Sequence, residues 1–344
     1  MDNIYILMIV ALAVLAIADL VVGVSNDAVN FLNSAIGSKA VSFKTIMIVA
    51  SLGVAFGALS SSGMMEVARK GIFMPSEFYF NEIMIIFMAV MITDILLLDF
   101  FNTLGMPTST TVSIVFELLG AAVVMSLIKI SASEAETISN LGQYINTAKA
   151  TEIILGILLS VVVAFSVGAF VQYSTRLLLT FNFEEKAKWV AALFGGIAAT
   201  AITYFILIKG LKGASFISGD FKSYIYENTF TIVFISFIFW TTLCALITGV
   251  FKMSVYKFII IIGTFAIAMA FAGNDLVNFI GVPIAAWQSY EAWVVSGVPA
   301  ADFSMEVMSK KVPTPSLLLF AAGLIMVLTL WFSKKAKAVL KTSI

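Results

Sequence analysis

Nine apolar runs divide the chain, at residues 4–24, 42–60, 83–101, 112–130, 153–171, 189–208, 229–251, 256–272 and 316–332. Each approaches the roughly 20 residues that carry a helix across a bilayer. The runs are continuous rather than alternating, which predicts helices and not the strands of a membrane barrel. The expected fold is an all-α polytopic membrane protein. Some runs are candidates for broken or re-entrant helices, so nine is a count of apolar runs rather than of crossings. The polar connections at 131–150, 172–188, 209–228 and 281–315 are too short to form a separate soluble domain.

Two polar pentads interrupt this pattern. Asn26-Asp27-Ala28-Val29-Asn30 ends the first run, and Asn274-Asp275-Leu276-Val277-Asn278 follows the eighth; each is followed by Phe (Phe31, Phe279). Carboxamides and a carboxylate at membrane depth are costly and mark functional sites by default. The competing reading is a pair of polar helix ends or caps, but the near-exact duplication argues for one site built from two halves. On a helix, Asn26 and Asn30 share a face and Asp27 lies three residues before Asn30. Carboxylate and carboxamide oxygens suit Na+ or another hard cation, while carboxamide N–H groups can donate to an anion. Gly23, Ser25 and Gly273 allow an unwound backbone there, with exposed carbonyls as further cation ligands. The pentads end runs one and eight, so their spans cross in opposite directions if every run crosses. That parity predicts an inverted repeat. The expected division is a first repeat at 1–171, a polar linker at 172–188 and a second repeat at 189–344.

A second polar stretch, Gly105-Met106-Pro107-Thr108-Ser109-Thr110-Thr111, joins runs three and four. Pro107 suits a first helical position. Four hydroxyl residues then fall in the first turn, where backbone N–H groups lack partners. A positively polarised helix start of this kind favours an oxyanion such as phosphate or sulfate. No Lys or Arg is adjacent, so the counter-charge must come from co-bound cations. Asp19, Asp94, Asp99 and Glu117 also lie within apolar runs. They are weaker candidates, for a proton, for Na+ or for hydrogen-bonded structure. Residues 57–63 predict a helix break, and Arg69-Lys70 an interface anchor.

Composition narrows the chemistry. Of 344 residues, 61% are hydrophobic and 12% charged, and the mean hydropathy is +1.05. No soluble domain of this size hides that much apolar surface. Net charge is zero and there is no basic patch, so nucleic acid is not an expected partner. His is absent and Cys244 is the one thiol. That removes zinc, haem and iron–sulfur sites, His-based acid–base chemistry and intrachain disulfides. Neither an enzyme nor a resident cofactor is expected. The first run is too long for a cleaved signal peptide and lacks an initial Lys/Arg cluster. It reads as a retained span of a multi-pass protein of the cell (inner or plasma) membrane. A homo-oligomer is compatible with the sequence.

These residues resemble the inorganic phosphate transporter (PiT) family of secondary symporters. The family's duplicated G-x-N-D-x-x-N signature stands here as Ser25-Asn26-Asp27-Ala28-Val29-Asn30, continuing to Ala35-Ile36-Gly37-Ser38, and as Gly273-Asn274-Asp275-Leu276-Val277-Asn278, continuing to Ile280-Gly281. Its P-x-S-T-T motif matches Pro107-Thr108-Ser109-Thr110-Thr111, and Glu66-Val67-Ala68-Arg69-Lys70-Gly71 looks like the segment after its second span. The resemblance implies import of inorganic phosphate coupled to Na+ or H+, on an inverted-repeat fold with re-entrant hairpins. It implies phosphate contacts at Asp27, Asn30, Ser109, Thr110, Thr111, Asp275 and Asn278. It implies cation contacts at Asn26, Asp27, Asn274 and Asp275.

The chain departs from the family pattern in three places. Val112 stands where the motif usually continues to His. Gly53-Val54-Ala55-Phe56 stands where many members carry a polar residue. No second P-x-S-T-T follows the second pentad, so the expectation is either the N-terminal part of a longer protein or a replaced half-cradle. Na+ is the expected coupling ion, because doubled carboxamide-plus-carboxylate sets suit it. The alternatives are H+ coupling through Asp or Glu, a sulfate or other oxyanion carrier, and an ion channel.

Overall fold

The computed structural model describes residues 2–61, 71–210, 217–309 and 314–343. Among them the chain forms twelve α-helices: α1 (Asp2–Ser38), α2 (Phe43–Ser60), α3 (Phe80–Leu104), α4 (Thr110–Ala132), α5 (Leu141–Tyr144), α6 (Thr147–Leu179), α7 (Lys188–Phe205), α8 (Gly219–Glu227), α9 (Thr229–Gly249), α10 (Val255–Ser296), α11 (Ser316–Phe332) and α12 (Lys334–Ser343). Eight are long and apolar enough to cross a membrane, and α11 supplies a ninth apolar helix of 17 residues. Each of the nine apolar runs thus falls on one helix. The chain is an all-α, multi-pass membrane protein.

The helices overrun the apolar runs. α6 continues past Val171 to Leu179, so the polar stretch from 172 begins inside a helix. α1 and α10 differ more sharply from expectation. Both continue without interruption through their pentads, α10 for 42 residues with Pro283 inside it. The pentads are therefore neither helix ends nor unwound segments. The helix does not need to open, because Asn26, Asp27 and Asp275 are buried on faces that meet neighbouring helices. The expected break at 57–63 fits α2 ending at Ser60 with Ser61 as its C-cap. Most of the following stretch, including Glu66, Arg69 and Lys70, lies outside the described residues.

α1 and α10 cross with opposite sense. Four residues before Asp27, Gly23 packs against the ring of Phe279, four residues after Asp275. Four residues after Asp27, Phe31 meets Phe271, four residues before Asp275, with ring centroids 4.9 Å apart. The two contacts exchange under a two-fold operation that swaps the pentads. The axis passes between Asp27 and Asp275, as an inverted repeat requires. α2 lies along α10, where Gly53 and Gly57 let the backbones approach. α3 packs on α1, α4 packs on α3 and α10, α11 packs on α1 and α2, and α12 packs on α1. One apolar cluster, including Val24, Leu32, Ala50, Leu276 and Met326, fills the centre of α1, α2, α10 and α11. α7 and α9 pair with each other and rest on the start of α10 at Val255, and α6 is exposed along almost its whole length.

The α2–α10 approach generates a prediction. A Cβ at Gly57 would lie 2.9 Å from the Met269 carbonyl carbon and 3.0 Å from its Cα, which are backbone atoms that cannot rotate away. Gly57→Ala should destabilise the protein by about 1–3 kcal/mol, measured as a lowered thermal unfolding temperature in detergent. Gly156→Ala, where the added carbon meets nothing within 4 Å, should not. Equal stability of the two variants would contradict the packing.

Candidate functional site

The site lies where α1 crosses α10. Asp27 and Asp275 are 2% and 8% exposed, and each is the other's close acidic neighbour. Each receives the carboxamide three residues on. Asn30 Nδ2 donates to Asp27 Oδ1 at 3.2 Å, and Asn278 Nδ2 donates to Asp275 Oδ1 at 3.0 Å. The duplicated spacing thus yields a duplicated hydrogen bond. The second Asp27 oxygen, Oδ2, is buried and meets no donor among the described residues. Among the described residues neither carboxylate pairs with Lys or Arg.

α4 begins at the same point. Gly105 ends α3 with φ 69°, a left-handed conformation that costs glycine little, and turns the chain back. Pro107 lies in the connection rather than at a first helical position. α4 starts at Thr110, and Ser109 is its N-cap, accepting from Val112 N at 3.3 Å. The first turn, residues 110–113, therefore holds the hydroxyls of Thr110, Thr111 and Ser113, and those of Thr108 and Ser109 precede it. Thr110 Oγ1 and Thr111 Oγ1 each donate to Asp275 Oδ1 at 3.3 Å, and Thr110 also neighbours Asp27. Asn278 Nδ2 reaches Thr111 Oγ1 at 2.9 Å. Thr111, Asn274, Asp275 and Asn278 line one cavity of ≈ 460 Å³. Ser109 and Thr108 line a different one, of ≈ 840 Å³, between α3 and α4.

The structure thus brings Asp27, Asn30, Thr110, Thr111, Asp275 and Asn278 together, and turns Ser109 toward the neighbouring cleft. The two pentad-opening asparagines behave differently. Asn26 is fully buried; its Nδ2 donates to Asn102 Oδ1 and to the Met106 carbonyl, both at 3.0 Å, and its Oδ1 accepts from Thr108 N at 2.7 Å. It fastens the loop that delivers α4 to the site, and as a cation ligand it keeps one free lone pair. Asn274 is exposed and makes no hydrogen bond among the described residues. Asn102, which the sequence reading did not single out, is buried and also donates to the Val22 carbonyl at 2.8 Å. Its only sequence signal is an isolated carboxamide at the end of an apolar run. Asp99 lies apart from the site, paired with Lys335 of α12.

Residues 23–341 match the phosphate transporter family. The chain belongs to that family. A Pyrococcus furiosus protein named as a phosphate permease is 26% identical over 304 residues, 87% of this chain and 67% of the relative. A Thermococcus kodakarensis protein of the same name is 26% identical over 87% of this chain and 68% of its own length. A solved structure described as the sodium-dependent phosphate transporter superposes with TM-score 0.71 over 98% of this chain and 84% of its own, at 18% identity. The fold is shared with that structure. The protein is a transporter and not an enzyme.

The asparagine asymmetry is testable by thermal unfolding of the transporter. Asn26→Ala strips partners from buried polar groups and should cost about 1–3 kcal/mol. Asn274→Ala should leave the unfolding temperature unchanged. Equal shifts would contradict the fastening role of Asn26.

Proposed function

We propose that the transporter imports inorganic phosphate together with Na+, and that both bind at the α1–α10 crossing. The observation that carries this reading is a mismatch of charge. Hydroxyl and amide donors that suit an oxyanion stand beside two buried carboxylates, with no Lys or Arg paired to them among the described residues. An oxyanion approaching Asp27 and Asp275 is repelled unless cations bind with it. The orphaned Oδ2 of Asp27 and the carboxamide and hydroxyl oxygens nearby are hard ligands of the kind Na+ takes. Phosphate binding therefore depends on prior or simultaneous binding of the cation, which is the thermodynamic basis of symport.

In this reading Asp27 and Asp275 face the cations. Thr110, Thr111, Asn30 and Asn278 donate to phosphate, assisted by the unpaired N–H groups of the first turn of α4. Asn274 is a further cation ligand. Ser109 serves mainly as the cap that fixes the start of α4, and Asn26 as the anchor of the loop before it. The two repeats, 1–171 and 189–344, each contribute one pentad. The resemblance to proteins named for phosphate and sodium supports the choice of ions.

Uptake of labelled phosphate into proteoliposomes tests this. Replacing Na+ by choline at fixed pH should lower uptake at least about tenfold, or about 1.4 kcal/mol at the limiting step. Asp27→Asn and Asp275→Asn should do the same in Na+. Uptake unchanged in choline would refute Na+ coupling, and uptake surviving both substitutions would refute the site.

A further inference from the structure

A second acidic group, not used by the proposed phosphate site, lies between α1, α3 and α4. Asp19 and Asp94 are both 0% exposed. Asp19 neighbours Asp94, and neither Asp19 oxygen meets a donor among the described residues. Ser113 Oγ lies 2.6 Å from Asp94 Oδ1 and 2.7 Å from Glu117 Oε1. The remaining oxygens, Asp94 Oδ2 and Glu117 Oε2, are buried without partners.

The hydrogen count decides what this group holds. A serine hydroxyl has one hydrogen and cannot donate to two carboxylates at once. Both short contacts are hydrogen bonds only if Asp94 or Glu117 carries a proton and donates it to Ser113 Oγ. Charge points the same way. The other titratable groups facing the trio are Asp27 on α1 and, beyond it, Asp275 on α10; both are acidic. On α3, Asp99 is turned to Lys335 of α12, and on α4, Lys129 is bound to Glu82. Three acids packed together, with no cationic side chain paired to them among the described residues, do not all ionise. Among the described residues no three such groups converge as a metal ligand set does.

We propose that Asp19, Asp94, Glu117 and Ser113 form a proton-binding site, separate from the Asp27–Asp275 pair, that makes the transporter sensitive to pH. Glu117 and Ser113 line the ≈ 840 Å³ cleft that also reaches Thr108 and Ser109, which gives protons a route beside the start of α4. Asp27 is among the charged neighbours of Asp19, and Asp94 among those of Asp27. Loss of a proton from the trio places negative charge near Asp27, which favours a cation there and disfavours an oxyanion.

Infrared difference spectroscopy of the purified protein in nanodiscs, titrated with acid and base without phosphate, tests the site independently of any transport activity. The wild type should show a protonated-carboxyl C=O band at neutral pH. Asp94→Asn and Glu117→Gln should each weaken it, and Asp99→Asn, on the Lys335-paired surface, should not. Ser113→Ala keeps all three acids and should shift the band, which covers the case in which the charge-removing variants do not fold. Absence of the band in wild type, its persistence in folded Asp94→Asn and Glu117→Gln, or its removal by Na+ at constant pH would overturn the proposal. A band that behaves as expected in a protein that fails to take up phosphate would leave this site standing and refute only the transport reading.

Discussion

Two buried acidic side chains, brought close where α1 crosses α10, constrain the rest of this protein. Asp27 and Asp275 come from helices of opposite sense, meet at a local two-fold axis and have no Lys or Arg partner among the described residues. Such an arrangement is costly in isolation. The chain offsets part of the cost locally, by giving each acid a carboxamide from its own helix and giving Asp275 two hydroxyls from α4. What remains unbalanced is net negative charge beside anion donors. On the account proposed here, mobile cations supply that balance, and phosphate binding follows from their arrival.

The surrounding architecture serves the crossing. Gly23 leaves room for Phe279, and Gly53 and Gly57 let α2 press against α10, so the acids are clamped between closely spaced backbones. Asn26 then ties the α3–α4 connection to α1 and fixes where α4 begins. The start of α4 is thereby aimed at Asp275, a residue more than 160 positions away in the chain. Asn26 and Asn274 occupy equivalent pentad positions but have different work. One is consumed in holding a loop, while the other stands open to the cavity beside Asp275.

Much of this is legible in the chain itself. Nine apolar runs become nine apolar helices because twenty-odd hydrophobic residues have few other options in a bilayer. The duplicated pentads mark residues that meet where α1 crosses α10, and their parity anticipates the antiparallel crossing. Hydropathy misplaces the helix ends, because a polar side chain ends an apolar run without ending a helix. That is why α1 and α10 pass straight through residues expected to unwind them. The start of α4 is displaced to Thr110 by tertiary hydrogen bonds from Asn26, which local spacing does not encode. The Asp19–Asp94–Glu117 group is hidden for the same reason: only Ser113 and Glu117 are close in sequence, and Asp19 and Asp94 arrive on separate helices.

The central claim is that phosphate and Na+ share the Asp27–Asp275 crossing and bind it interdependently. Equilibrium binding of labelled phosphate to the purified, detergent-solubilised protein measures this without the complications of transport. The account predicts binding in Na+, little in choline, and little in Asp275→Asn even with Na+ present. Phosphate binding of equal strength with and without Na+ would contradict it.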